Sequence, residues 1–98
     1  MAVLLRADGS SRAIVPTRGA AFPLAELQGM VGGYIQAVPL PDGRYLVCNE
    51  DGKRMGLPVN EAATRALHAA GGLPDDRVVG DVLIASTEEL GGDDRDEE

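Results

Sequence analysis

The sequence is short of the residues from which most catalytic and nucleobase-reading sites are built. It has no tryptophan, one cysteine (Cys48), one histidine (His68) and only three aromatic side chains, Phe22, Tyr34 and Tyr45. A single cysteine cannot close a disulfide within the chain, and a lone thiol fits a reducing compartment better than a secreted one. One Cys and one His cannot furnish the four-ligand shell of a structural zinc site. The scarcity of aromatics leaves little surface on which bases could stack. Long apolar runs are missing as well: none approaches the ~20 residues of a membrane span. The short apolar run before Arg6 is too brief for the core of a secretory signal. The expectation is a cytoplasmic protein with no membrane contact, no metal and no cofactor.

Positive charge is also scarce, with 9 basic residues against 16 acidic and a formal net charge of −7. The imbalance is not spread evenly. From Glu88 onward seven acids face Arg95 alone, a local charge of −6, whereas residues 1–87 hold nine acids and eight bases, a charge of −1. Gly91-Gly92-Asp93-Asp94-Arg95-Asp96-Glu97-Glu98 has nothing apolar to bury and repels itself, so 88–98 reads as a disordered acidic tail on a near-neutral domain, 1–87. Within that domain Arg6, Arg12, Arg18, Arg44, Lys53 and Arg54 are scattered, so no electrostatic footprint for nucleic acid is visible. Ninety-eight residues make one domain. A chain of this size buries only about 60–65% of its unfolded surface, so its stability is slim and a homo-oligomer is expected.

What is present is clear punctuation. Ala2–Ala7 and Arg12–Pro16 are short apolar runs separated by Asp8-Gly9-Ser10-Ser11, a hairpin pattern that Pro16 closes. Pro23 suits the start of a helix whose face is Leu24, Leu27 and Val31 and whose end is Gly32-Gly33. Tyr34–Leu40 and Tyr45–Asn49 form a second hairpin around Pro41-Asp42-Gly43, with two or three residues in the loop. Asn60 is a good cap for a second helix, Glu61 suits its first turn, and Ala63, Ala66, Leu67 and Ala70 form a face that buries little before Gly71-Gly72. Val82-Leu83-Ile84-Ala85 is too short for a helix and reads as a strand covered on both faces. The result is an α+β domain of order β-β-α-β-β-α-β, its sheet mostly antiparallel, with the first helix packed on one face.

The block Leu27-Gln28-Gly29-Met30-Val31-Gly32-Gly33-Tyr34-Ile35, the run Asn49-Glu50-Asp51-Gly52, and the later Gly56–Asn60 and Val79–Ile84 together resemble a family of small domains of unknown function found in bacteria and their phages. The resemblance spans roughly residues 1–86. It implies a single α+β domain often carried on phages or mobile elements, and it brings no active site. The acidic tail and Phe22-Pro23, where a polar cap would be usual, depart from the family's pattern.

The remaining chemistry is thin. Cys48 lies among apolar neighbours, as a small core residue does, and nothing places it beside His68. Gly29-Met30-Val31-Gly32-Gly33 ends a helix, so its amides cannot form the anion site that a helix start provides. Asn49-Glu50-Asp51-Gly52 lacks the bidentate Glu of a calcium loop, Asn60 standing at that position. A hydrolase using Glu50 or Asp81 as base is the weakest of the readings. One polar group remains: Asn49, Glu50 and Asn60 bracket Lys53-Arg54, with Tyr34 near them across the hairpin. Such a set could receive a small nucleotide-like ligand, Lys53 and Arg54 holding phosphate, Tyr34 or Tyr45 stacking, and Asn49, Glu50 and Asn60 orienting. Alternatively Asn49 and Glu50 organise a turn and Asn60 caps the helix. The functional expectation is a non-enzymatic binding domain of phage or mobile-element type that sequesters a nucleotide-derived signal (an anti-defence role). The alternative is a protein–protein inhibitor or adaptor acting on a protein partner through a sheet edge or an acidic surface.

Overall fold

The computed structural model describes residues 2–16, 19, 21–71 and 77–90. Seven elements follow in the expected order: β1 (Ala2–Leu5), β2 (Ser11–Ile14), α1 (Leu24–Val31), β3 (Ile35–Pro39), β4 (Arg44–Asn49), α2 (Glu61–Ala69) and β5 (Val82–Ser86). The strands form one antiparallel sheet of order β2-β1-β5-β4-β3. The last strand in sequence is therefore the middle strand in space. Its residues Val82–Ala85 are all buried, as a strand with both faces covered requires.

Both hairpins are built the same way. In each, a three-residue loop, Ala7-Asp8-Gly9 or Pro41-Asp42-Gly43, places glycine at φ near +90°, which a side chain would resist. The glycine N–H returns to the residue before the loop, Gly9 to the Arg6 carbonyl and Gly43 to the Leu40 carbonyl. The loop aspartate then accepts from the residue two positions on. Asp8 takes the Ser10 hydroxyl and backbone N–H, while Asp42 takes the Arg44 guanidinium and backbone N–H. These bonds hold both carboxyls below their ordinary pKa. The second loop thus has three residues, which fixes the β3–β4 register as Ile35↔Asn49 through Pro39↔Tyr45.

Alternation along the strands sorts the core into two layers. On one face Ala2, Leu4, Val47, Leu83 and Ala85 meet Phe22, Leu27 and Val31, with Ile14, Met30, Ile35 and Leu90 packed around them. Helix α1 starts at Pro23 with no side-chain cap. Its start is held instead by Phe22, buried with Leu27 in the position of a hydrophobic staple. Gly32, at φ 82°, closes the helix with its N–H on the Gln28 carbonyl. Leu24, expected on the buried face, is 58% exposed. The helix turns Leu27, Met30 and Val31 to the sheet, and that stripe leaves its first residue outside.

The opposite face carries Leu46 and Val82 against Ala63 and Val78, with Leu5, Val38, Leu40, Cys48 and Leu67 partly buried beside them. Helix α2 covers this face. Asn60 caps it, its Oδ1 accepting from the Ala63 N–H at 3.1 Å.

Folded structure runs further than charge alone implies. Glu88–Leu90, counted with the tail in the sequence, form a turn in which Ser86 and Glu89 cap each other: the Glu89 N–H donates to Ser86 Oγ, and the Ser86 N–H donates to Glu89 Oε1. The Glu89 carbonyl accepts from Phe22, and Leu90 packs on the α1 layer. Residues 91–98, where the acidic tail is expected, lie outside the described residues, as do Gly72 and Arg18. Among the described residues no helix is long and apolar enough to cross a membrane.

Candidate functional site

Helix α2 meets this layer through Ala63 and Leu67, approaches the sheet less closely than α1 does, and leaves space on its flanks. The larger space is a groove of about 590 Å³ between α2, the β3–β4 hairpin and the turn that follows β4. Val38, Leu46, Cys48, Leu67 and Val78 supply its apolar lining, and Gln36 adds an amide. Lys53, Arg54 and Arg77 bring positive charge to it, and Glu50 and Asp51 negative charge. A smaller groove of about 330 Å³, lined by Leu40, Pro41, Ala66, Ala69 and Ala70 among others, lies along the other flank of the helix.

The turn that carries Lys53 and Arg54 is stiff for a reason. Asn49, buried at the end of β4, accepts the Asp51 N–H on its Oδ1 at 2.8 Å and donates from Nδ2 to the Val31 carbonyl at 3.1 Å. It therefore sets the turn and satisfies one of the orphan carbonyls at the end of α1. The backbone continues the winding, with Gly52 N–H to Asn49, Met55 to Asp51 and Leu57 to Gly52. Gly52 has no room for a side chain, since a Cβ there would stand 2.8 Å from Val79. Arg54 reaches back to Asp51 at 2.5 Å, but the pair is exposed and adds little to stability.

Across the groove Arg77 is placed by its neighbour. Val78 donates its N–H to Thr64 Oγ1 at 2.9 Å and accepts the Asn60 N–H at 2.7 Å. Two segments far apart in sequence, 53–54 and 77, thus bring three cations to one groove.

Of the residues singled out in the sequence, Asn49, Glu50, Lys53 and Arg54 line this groove; Tyr34, Tyr45 and Asn60 do not. Tyr45 shares a strand face with Val47 and so stands on the α1 side of the sheet. Tyr34 gives its backbone carbonyl to Glu50, while its side chain is 68% exposed. Asn60 is 1% exposed and fully committed: besides the cap, its Nδ2 donates to the Leu5 and Gly80 carbonyls, each at 2.8 Å. It ties β1, the β5 approach and α2 together. Asp81 is structural too, accepting the Ala7 N–H at 2.9 Å and so holding the first hairpin loop to the start of β5. The sequence reading missed Gln36, Val38, Leu46, Leu67, Arg77, Val78 and Val79. It treated Cys48 as core, whereas Cys48 is half-buried on the groove wall. Burial raises the Cys48 thiol pKa, and the positive charge of Lys53 only partly opposes it, so the thiol is protonated at neutral pH. His68 is exposed on α2. Among the described residues no three His, Cys, Asp or Glu side chains gather in a metal-binding cluster.

Comparison with known proteins places the chain in one family. Residues 1–97 match the model of the family described as Domain of unknown function (DUF3846), and the chain belongs to it. No curated protein and no solved structure matches it.

Proposed function

We propose that this domain is a non-catalytic binding module whose α2-side groove takes a small phosphorylated, nucleotide-derived ligand. The observation that carries this reading is the convergence of Lys53, Arg54 and Arg77 on a groove lined by aliphatic side chains. A volume of about 590 Å³ falls within the roughly 300–1,000 Å³ of small-molecule sites, which are mostly apolar with a few fixed polar groups. The arginines and the lysine hold phosphate oxygens, guanidinium groups doing so two bonds at a time. Glu50 and Gln36 offer an acceptor and an amide to the polar edges of the ligand. The base rests on Val38, Leu46 and Leu67 instead of on a tyrosine, because both tyrosines lie elsewhere. The protonated Cys48 thiol adds packing to that wall and no nucleophile.

Binding without turnover is the behaviour of a protein that sequesters a signal, and it fits the phage and mobile-element setting that the sequence resemblance implies. Isothermal titration calorimetry against cyclic dinucleotides and ADP-ribose-type compounds tests the proposal. At least one should bind, be recovered unchanged after incubation, and bind about tenfold or more weakly to Arg77→Ala, the loss of one charge-assisted contact of about 1.5–3 kcal/mol. The absence of heat with every compound, in folded protein, rejects it.

A further inference from the structure

The two edges of the sheet are unlike each other. At the β2 edge Arg12 is exposed, and charge on an edge strand discourages further pairing. The β3 edge has no such guard: no charged residue occurs between Glu26 and Asp42, and among the described residues no strand pairs with its outer side.

The hydrogen-bond phase of β3 is set by two contacts. The Leu40 N–H donates to the Arg44 carbonyl and the Glu50 N–H donates to the Tyr34 carbonyl, both at 2.8 Å. Antiparallel ladders alternate bonded and non-bonded pairs. Tyr34, Gln36, Val38 and Leu40 therefore direct their backbone groups at β4, and Ile35, Ala37 and Pro39 direct theirs outward. This outward row is self-complementary. Around a two-fold axis through Ala37, each Ala37 exchanges N–H and carbonyl with its copy, and each Ile35 N–H meets the Pro39 carbonyl opposite. The only bonds missing are those that Pro39 has no N–H to donate. Proline is thus tolerated on this edge, as edge strands allow.

We propose that two copies of the chain pair antiparallel through the outer edge of β3, with Ala37 on the dyad, to form one continuous sheet. The partner is a second copy because the edge supplies a matched set of donors and acceptors to itself and because two uncharged edges meet without repulsion. The pairing does not depend on the groove being a ligand site, but it bears on it. In this register Val38 of one copy faces Gln36 of the other, on the groove side of the sheet, so each groove gains a wall from the second copy. One short strand per copy gives a contact at the low end of interface sizes, below about 1,200 Å², so the dimer is concentration-dependent.

Light scattering coupled to size exclusion, run over a dilution series of the full chain, should show a mass moving from that of one chain, 10.2 kDa, to twice that value. Ala37→Lys sets like charges against each other on the dyad and should leave only the single-chain mass, with an unchanged circular dichroism spectrum. Ala37→Cys, in a Cys48→Ser background, tests geometry separately. Paired residues at such a position stand about 5.5 Å apart at Cα, within the disulfide range of about 4.4–6.8 Å, so mild oxidation should give a covalent dimer. A single-chain mass at every concentration up to millimolar overturns the proposal. So does a dimer that persists in Ala37→Lys and resists cross-linking through Ala37→Cys, since that dimer uses another surface.

Discussion

The two faces of the sheet receive helices of similar length and become different things. On the α1 face, Phe22, Leu27, Met30 and Val31 are large enough to fill the space above Val47 and Leu83, and the layer closes into core. On the α2 face, Ala63 is the helix residue fully buried, and the alanines around it leave open grooves on either flank. Side-chain volume on the covering helix decides which face is packed and which is left open. A small domain has little core to spare, so the sealed face carries the stability, and under the proposed function the open face is left for the ligand.

That division can be broken by truncation. Leu27→Ala in the sealed layer should cost about 2–5 kcal/mol, enough to unfold much of a domain this size. Leu67→Ala, only half-buried beside the groove, should cost about 1–2 kcal/mol, as read by urea denaturation. A reversed order would mean that the α2 face supplies the main core.

Asn60 sharpens the comparison because it ties α2 to β1 and the approach to β5 without lining the groove. Asn60→Ala removes the α2 cap and strips a partner from the buried Gly80 carbonyl and from the half-buried Leu5 carbonyl, with an expected loss of about 2–3 kcal/mol. Ligand affinity, measured on the fraction that remains folded, should hold. Arg77→Ala is the converse: exposed and outside both core layers, it should leave stability within about 0.5 kcal/mol while weakening binding.

The smallest effect concerns Cys48. Its thiol pKa is raised by burial, so the folded state favours the protonated form. The associated stability is fully present below the unfolded-state pKa and fades as pH rises through the folded one. Alkylation by iodoacetamide at neutral pH should therefore be slower in the folded than in the unfolded chain. Cys48→Ser should flatten the alkaline limb of the stability profile. Equal alkylation rates would place the thiol outside the groove wall.

Much of the fold was legible because its punctuation is local. Asp8-Gly9 and Asp42-Gly43 announce the hairpins, Gly32 a helix end and Asn60 a helix start, and each acts through neighbours within a few residues. Strand order was not legible. Val82–Ala85 announces a doubly covered strand, yet nothing in those residues says that β1 and β4 flank it. The turn at 50–53 was legible, and with it Lys53 and the neighbouring Arg54, but not its continuation to Gly56. Arg77 was not, since only the folding of α2 across the sheet brings it near them. The face that Tyr45 takes was not legible, since the length of the Pro41–Gly43 loop was open and one residue of register decides which face a strand side chain takes. The Ser86-x-x-Glu89 box was a readable signal, masked by the run of acids around it.

Side-chain NMR of the methyl groups gives the most direct test of the division between the faces. During titration with the cyclic dinucleotide or ADP-ribose-type compound that binds in calorimetry, resonances of Val38, Leu46, Leu67 and Val78 should move in a saturable way while those of Leu27, Val31 and Val47 stay still. Shifts centred on the α1 layer, or no shift at saturating concentrations of any compound, would contradict the account.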